Sequence, residues 1–239
     1  MKKGSSFLFL VLIVIVGCGS INLFDKPEEG LPDGLILWNK LGSASEVSNS
    51  IVGVNGVLSD GISYNSGVFG NATLFTNNAY ISFNVLSPSN KKWGVDEIAI
   101  EFWAKPKVLA QNDNYIFDFV KGMEHADGYL RLIHLNSTSY RLPPSFVGES
   151  GGSNLFSWDT NQYHHFAMSI SKNMAYVFID GVLDIVKSLS SDITNTYMPY
   201  QIVLATSWHY AGIYSWDGNI DNLKIWNYAK TNFDDRFVE

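Results

Sequence analysis

Cysteine is all but missing from this chain, with Cys18 the one instance in 239 residues. No intramolecular disulfide can form, and zinc sites built from several thiolates are excluded. Positive charge is scarce as well: 16 Lys and Arg stand against 23 Asp and Glu, a formal net charge of −7. Without a basic stripe to neutralise phosphates, nucleic-acid binding is disfavoured, as is electrostatic adhesion of the folded part to anionic lipid. No apolar run reaches the roughly 20 residues that a membrane-spanning helix needs. No phosphate-cradling glycine loop occurs. Long helical periodicity is also rare, which argues against a helical fold.

What the N-terminus does have is order of a different kind. Lys2 and Lys3 precede an apolar stretch, Phe7 to Val16, in the manner of a secretory leader. It ends in Ile15-Val16-Gly17-Cys18, which resembles the bacterial lipobox. That resemblance implies cleavage before Cys18 and acylation of its thiol and new amino group. Several acyl chains would hold the protein stably to a lipid bilayer, where a single chain binds only marginally. Gly19 and Ser20 follow with no Asp directly after the cysteine, a pattern similar to outer-membrane sorting signals. The expected address is therefore the bacterial cell envelope, lipid-anchored, at the outer membrane or cell surface rather than the inner membrane. Residues 1–17 read as the leader and 18–33 as a polar, Pro- and Gly-bearing tether. Residues 34–239 read as one folded domain.

That domain is rich in core material, at 46% hydrophobic and 14% aromatic residues over the whole chain. Short alternating or apolar runs recur, separated by Gly, Asn, Asp, Ser and Pro. They predict strands over Ala79–Asn84, Glu97–Lys105, Tyr115–Val120, Tyr129–Asn136, His164–Ser171, Ala175–Ile179, Val182–Ser188, Gln201–Thr206 and Asn219–Asn227. Asp180-Gly181 between two of these runs is a strong hairpin signal, because a type I′ turn needs positive φ at both central residues. Many short strands and no internal repeat point to an all-β sandwich or jelly roll.

Four motifs then occur in a telling order. They are Gly67-Val68-Phe69-Gly70-Asn71-Ala72, Glu97-Ile98-Ala99-Ile100-Glu101-Phe102-Trp103-Ala104-Lys105-Pro106, the His165-bearing strand with its Tyr176-to-Gly181 hairpin, and Gly218-Asn219-Ile220-Asp221-Asn222-Leu223-Lys224-Ile225-Trp226. Together they resemble the bacterial laminin-G-like domains of the concanavalin A-like lectin/glucanase superfamily, over about Gly34 to Thr231. The resemblance implies a jelly-roll β-sandwich of two antiparallel sheets. It also implies one of two activities, because this superfamily holds both sugar-cutting enzymes and modules that only bind.

The enzymatic reading would rest on Glu97 and Glu101. Glucanases of this fold carry Glu-x-Asp-x-Glu on one strand, whose period of two projects all three carboxylates from one face. The outer pair serves as nucleophile and acid/base, roughly 5–5.5 Å apart for a retaining enzyme. Here the middle position is Ala99, so the group that would tune its neighbours is gone and no catalysis is expected. His164 and His165 point to opposite faces of a regular strand and cannot chelate one ion, and His165 matches a scaffold histidine of the family. Asp221 sits in an apolar strand and needs a partner, because an unpaired buried carboxylate is costly. In relatives the matching Asp helps hold a structural calcium with backbone carbonyls. Gly34 to Ser43 offers such oxygens and Glu46 a further ligand, although the Asp-rich stretch of many relatives is absent. The alternative for Asp221 is a hydrogen bond to a turn or a basic side chain.

For a ligand, the best candidates are Trp208, Tyr210, Tyr214 and Trp216, with Trp158 a second contributor, since sugar rings stack on aromatic faces. Their alternative is filling the sandwich. The favoured expectation is a non-catalytic, membrane-anchored module that binds a glycan, or a glycosylated or protein partner at the surface. The competing readings are a glycoside hydrolase using Glu97 and Glu101, and a structural protein of envelope assembly.

Overall fold

The alternating runs form strands, and the Gly, Asn and Asp clusters between them form turns. The computed structural model describes residues 31–85, 97–109, 114–120, 130–136, 139–141, 158–188, 201–207 and 214–239. Met1–Pro32 and Asp33–Glu239 are separate units, and Cys18 with the leader lies outside the described residues.

The strands are β1 (Leu35–Asn39), β2 (Gly56–Leu58), β3 (Ser63–Ser66), β4 (Asn71–Phe75), β5 (Ile81–Phe83), β6 (Glu97–Pro106), β7 (Asn114–Val120), β8 (Leu130–Asn136), β9 (Ser139–Arg141), β10 (His164–Ser171), β11 (Met174–Ile179), β12 (Val182–Ser188), β13 (Gln201–Leu204) and β14 (Gly218–Trp226). One helical turn, α1 (Ala44–Val47), follows β1, and a 3-10 turn spans Asp234–Phe237. Two antiparallel sheets result. One runs β12-β11-β10-β6-β14-β4-β3, with β1 also paired to β14; the other runs β2-β5-β13-β7-β8-β9. The expected jelly-roll sandwich is what forms.

Alternation decides the core. Ile98, Ile100, Phe102 and Ala104 of β6 face inward, as do Ile202 and Leu204 of β13. Phe102 packs edge-on to Phe117 across the sandwich at 5.8 Å and is stacked on Phe166 of its own sheet at 6.1 Å. Trp158 covers the other side of Phe166 at 4.6 Å. Edge-to-face and offset aromatic pairs of this kind add about 1 kcal/mol beyond the area they bury.

The β11–β12 hairpin has the expected turn: Asp180 and Gly181 have φ of 54° and 83°, and Ile179 pairs with Val182. Asp180 does more than permit the turn. Its carboxylate accepts the His165 backbone N–H at 2.9 Å and the His164 Nδ1–H at 2.7 Å, tying the hairpin to the start of β10.

A bulge interrupts β14 between Asp221 and Lys224, with Asn222 in the left-handed region at φ 53°. Asn tolerates that conformation better than other non-glycine residues. It is held there by its N–H to the Lys40 carbonyl at 3.0 Å, while its side-chain oxygen accepts Trp38 Nε1–H at 2.7 Å. The bulge lies where β14 changes neighbours, from β4 at Gly218–Ile220 to β1 at Leu223–Trp226.

Candidate functional site

The outer face of β6 carries Glu97, Ala99, Glu101 and Trp103, and it is not open. The chain leaves β14 and folds back over this face as a strap, residues 227–239. Glu101 is only 2% exposed. Its Oε1 accepts Trp226 Nε1–H at 2.7 Å and Lys230 Nζ at 2.8 Å, and its Oε2 accepts His165 Nε2–H at 3.1 Å. Lys230 also binds Asp235 at 2.8 and 3.0 Å, and its ammonium lies 4.3 Å from the Trp226 ring and 4.9 Å from Phe233. Glu97 accepts the Ser171 hydroxyl at 2.8 Å and the Ala229 N–H at 3.3 Å. Phe233 is buried against Phe178, and Phe237 lies on Trp103 at 5.1 Å.

Burial alone would raise the Glu101 pKa, but the hydrogen bond from His165 and the charge of Lys230 outweigh it and hold it down at about 2. Glycoside hydrolysis by two carboxyl groups needs one of them protonated and both within reach of a sugar. Here Glu101 is walled in and ionised. Ala99 lies directly across from Trp226 and Ser169 in the ladders. An Asp at that position would bury another carboxylate beneath the strap beside the indole, which explains why a small apolar residue stands there. His165 is thus a member of the strap's seat, in keeping with the scaffold reading. Lys230, Asp235 and Phe233 were not legible as partners, because they lie in a polar tail after the last patterned strand.

Asp221 is wholly buried beside the β14 bulge. Its Oδ2 accepts the N–H groups of Val68 and Phe69, at 2.7 and 3.0 Å, from the turn linking β3 and β4. A Cβ on Gly67 would lie 2.4 Å from that oxygen, so only glycine lets the turn close over the carboxylate. The turn bond foreseen as the alternative therefore exists, yet it uses one oxygen alone; Oδ1 is buried with no hydrogen-bond partner. Burial pushes the Asp221 pKa up to about 7; the two amides pull it down, while the charges of Glu239 and Glu46 push it further up. The Tyr64 hydroxyl is likewise buried and unpartnered, with burial and Glu46 raising its pKa. Among the described residues, neither Asp221 nor Glu46 is ion-paired with a Lys or Arg, while Glu239 is paired with Lys40 at 3.0 Å. A hard ion such as calcium, which takes oxygen ligands only, suits that donor set. Among the described residues no group of three or more His, Cys, Asp and Glu side chains gathers, so backbone oxygens would have to complete its shell.

The aromatic candidates separate. Trp158 and Trp216 are each 1% exposed and belong to the core cluster, so neither presents a face to a ligand. That corrects the expectation for both. Trp216 is held by its backbone N–H to the Ala205 carbonyl at 2.9 Å, and a Cβ on Gly218 would strike its ring at 2.6 Å. Tyr214 is half-buried and leans on Tyr115, ring centroids 5.9 Å apart, with Thr206 and Ser215 hydroxyls hydrogen-bonded nearby at 3.3 Å. Trp208 and Tyr210 lie outside the described residues.

No curated protein matches the chain in sequence. Solved structures do match it in fold. Domain 4 of AbnA, an extracellular GH43 arabinanase of Geobacillus stearothermophilus solved with arabinotriose, aligns with TM-score 0.60 at 17% identity, over 82% of this chain and 93% of that one. Trypanosoma rangeli sialidase aligns with TM-score 0.65 at 10% identity, over 84% of this chain but 31% of that one. The receptor-binding domain of botulinum neurotoxin D aligns with TM-score 0.58 at 15% identity, over 83% of this chain and 50% of that one. The family model Laminin_G_3 matches residues 75–233, a stretch that runs from the end of β4 through the bulged closing strand to Phe233 of the strap, and so the chain belongs to the Laminin_G_3 family of the concanavalin A-like lectin/glucanases superfamily.

Proposed function

We propose that this domain is a non-catalytic binding module for carbohydrate, braced by a calcium ion at Asp221 and tied to a membrane through an acylated Cys18. The observation that carries the non-catalytic reading is the use of Glu101 and Glu97 as anchors for the strap. A side chain that holds the fold together beneath a covered face is poorly placed to attack a sugar. A carbohydrate ligand fits a fold whose similar structures include one in complex with arabinotriose. Its contact surface is the end of the sandwich where Tyr214 leans on Tyr115, and Trp208 and Tyr210 precede Tyr214 closely in sequence. Rings with neighbouring hydroxyls are the usual make-up of such a surface. At Asp221 the ion would serve as a brace, neutralising Oδ1 and its acidic neighbours.

The test is a glycan array probed with the protein in calcium and in chelator. Binding to a defined glycan class, lost in Trp208→Ala or Tyr214→Ala, is the expected result. A blank array together with capture of a defined envelope protein would replace the carbohydrate with a protein ligand. Release of reducing ends from a β-glucan, abolished in Glu101→Gln, would overturn the non-catalytic reading. For the anchor, metabolic labelling with a fatty acid is expected to vanish in Cys18→Ser.

A further inference from the structure

Strand β6 closes with Trp103-Ala104-Lys105-Pro106, and the alternation that turns Ala104 into the core sends Trp103 and Lys105 to the outer face. The strap stops short of Lys105. Its last ring, Phe237, lies on Trp103 and is itself 61% exposed, with the Arg236 guanidinium 4.8 Å from its centroid. Two residues further along the strand, Lys105 is half-buried beyond the strap's edge.

Lys105 has no carboxylate partner among the described residues, although the chain holds 23 Asp and Glu. Its ammonium is held instead 4.8 Å over the Tyr163 ring. Tyr163 is fixed across the face by its hydroxyl, which donates to the Ser66 carbonyl at the end of β3 at 2.8 Å. A cation–π contact of this kind orients an ammonium but leaves its charge unneutralised. Asn219, directly across from Lys105 in the ladder, donates its amide to Asn65 Oδ1, which leaves the N–H groups of the exposed Asn65 amide uncommitted among the described residues. Asp221, whose charge bears on Tyr163, is wholly buried and bonded to two backbone amides, so it is not presented to the surface. Lys107, exposed just past the strand, is a second cation without a carboxylate partner among the described residues. Its backbone N–H binds the Asp217 carbonyl at 3.0 Å, on the segment that leads to Tyr214. An open ring, two unneutralised ammonium groups and a free amide donor thus lie along one path from the sheet face to the rim.

We propose that this uncovered part of the outer face binds a uronic-acid glycan: one pyranose stacks on Phe237, its ring-edge carboxylate pairs with Lys105, and Asn65 serves hydroxyls. Lys107 takes the carboxylate of a following unit on the way to Tyr214. Trp103, beneath Phe237, and Lys105 are about 7 Å apart along the strand, a span that one stacked sugar bridges. This rests on the carbohydrate reading above and deepens it by naming the class of sugar. Tyr163 is a positioning residue, holding the ammonium where the carboxylate arrives.

The experiment is calorimetric titration of the protein with oligogalacturonate and hyaluronan fragments, each beside its methyl ester, which removes the charge and little else. Wild type is expected to bind an acid form about tenfold more tightly than its ester, with the preference shrinking as salt is raised. Lys105→Gln should lower affinity for the acid to that for the ester, and Lys105→Arg should keep the preference. Neither should shift the unfolding temperature, because the Lys105 ammonium makes no hydrogen bond in the fold. Phe237→Ala should weaken acid and ester alike by about fivefold, since stacking does not depend on the charge. An ester bound as tightly as the acid, an acid preference that survives Lys105→Gln, or full affinity in Phe237→Ala would overturn this inference and leave the carbohydrate module standing. Array binding confined to neutral glycans would do the same. No binding to any glycan, charged or neutral, would overturn both.

Discussion

Lys230 Nζ lies 2.8 Å from Glu101 Oε1, joining residues 129 positions apart and fastening the C-terminal strap to the middle of the eight-stranded sheet. Both side chains are nearly sealed from water. An exposed pair of this type contributes about 0–1 kcal/mol, but removing one partner of a buried pair strands the other charge. Lys230→Met should therefore cost about 3–5 kcal/mol in urea unfolding. The double variant Lys230→Met/Glu101→Gln should recover part of that loss, because it removes the stranded charge. A single-variant cost below about 1 kcal/mol would show that the strap is not seated by this pair.

The same carboxylate fixes the response to acid. Its folded pKa of about 2 lies below the ordinary value of 4.5 that it regains on unfolding. A group depressed by folding stabilises the fold above its unfolded pKa and loses that contribution as pH falls toward its folded pKa. Stability should thus decline between about pH 4.5 and pH 2, with on the order of 2–3 kcal/mol of it due to Glu101. In Glu101→Gln the unfolding free energy should be lower at pH 7 and flatter across that window. An acid profile identical to wild type would remove Glu101 as its cause.

Most strands could be read from the sequence, since alternation is a local property: β6, β10, β12 and β14 lie within a residue or so of where the pattern put them. The short β2, β3 and β4 were hidden in a Gly-, Asn- and Ser-rich passage, because three to five residues carry too little pattern to register. Burial of aromatic rings was not legible either. Trp216 and Tyr214 are two residues apart on one loop, yet one fills the core and the other reaches the rim. That division depends on Gly218 and the Ala205 carbonyl, contacts made only once the loop has folded. The strap over Glu101 escaped for a similar reason, its anchors being isolated residues in a polar tail.

Gly181 completes the β11–β12 turn at φ 83°, and a Cβ there would come within 2.7 Å of Arg236 Nη1. The steric neighbour is the end of a flexible side chain, so it can yield, whereas the left-handed backbone cannot. Gly181→Ala should cost about 1 kcal/mol through backbone strain, and Gly181→Val more. Thermal unfolding measures it. An equal cost for Ala and Asn, which tolerates positive φ, would point to the Arg236 contact as the source instead of the backbone.

The two halves of the aromatic loop should respond to mutation in opposite ways. Trp216 is enclosed in the sandwich, so Trp216→Ala leaves a cavity and should cost about 3–5 kcal/mol. Any ligand affinity it loses should fall in step with the fraction of unfolded protein. Tyr214 keeps part of its ring at the surface beside Tyr115. Tyr214→Ala should therefore cost only about 1 kcal/mol, as partly exposed side chains do, while removing a stacking face. Thermal unfolding beside glycan affinity on the same samples separates the two cases. If Tyr214→Ala left affinity unchanged while Trp216→Phe, which preserves core volume better, abolished it in folded protein, the binding surface would have to be sought around Trp216 after all.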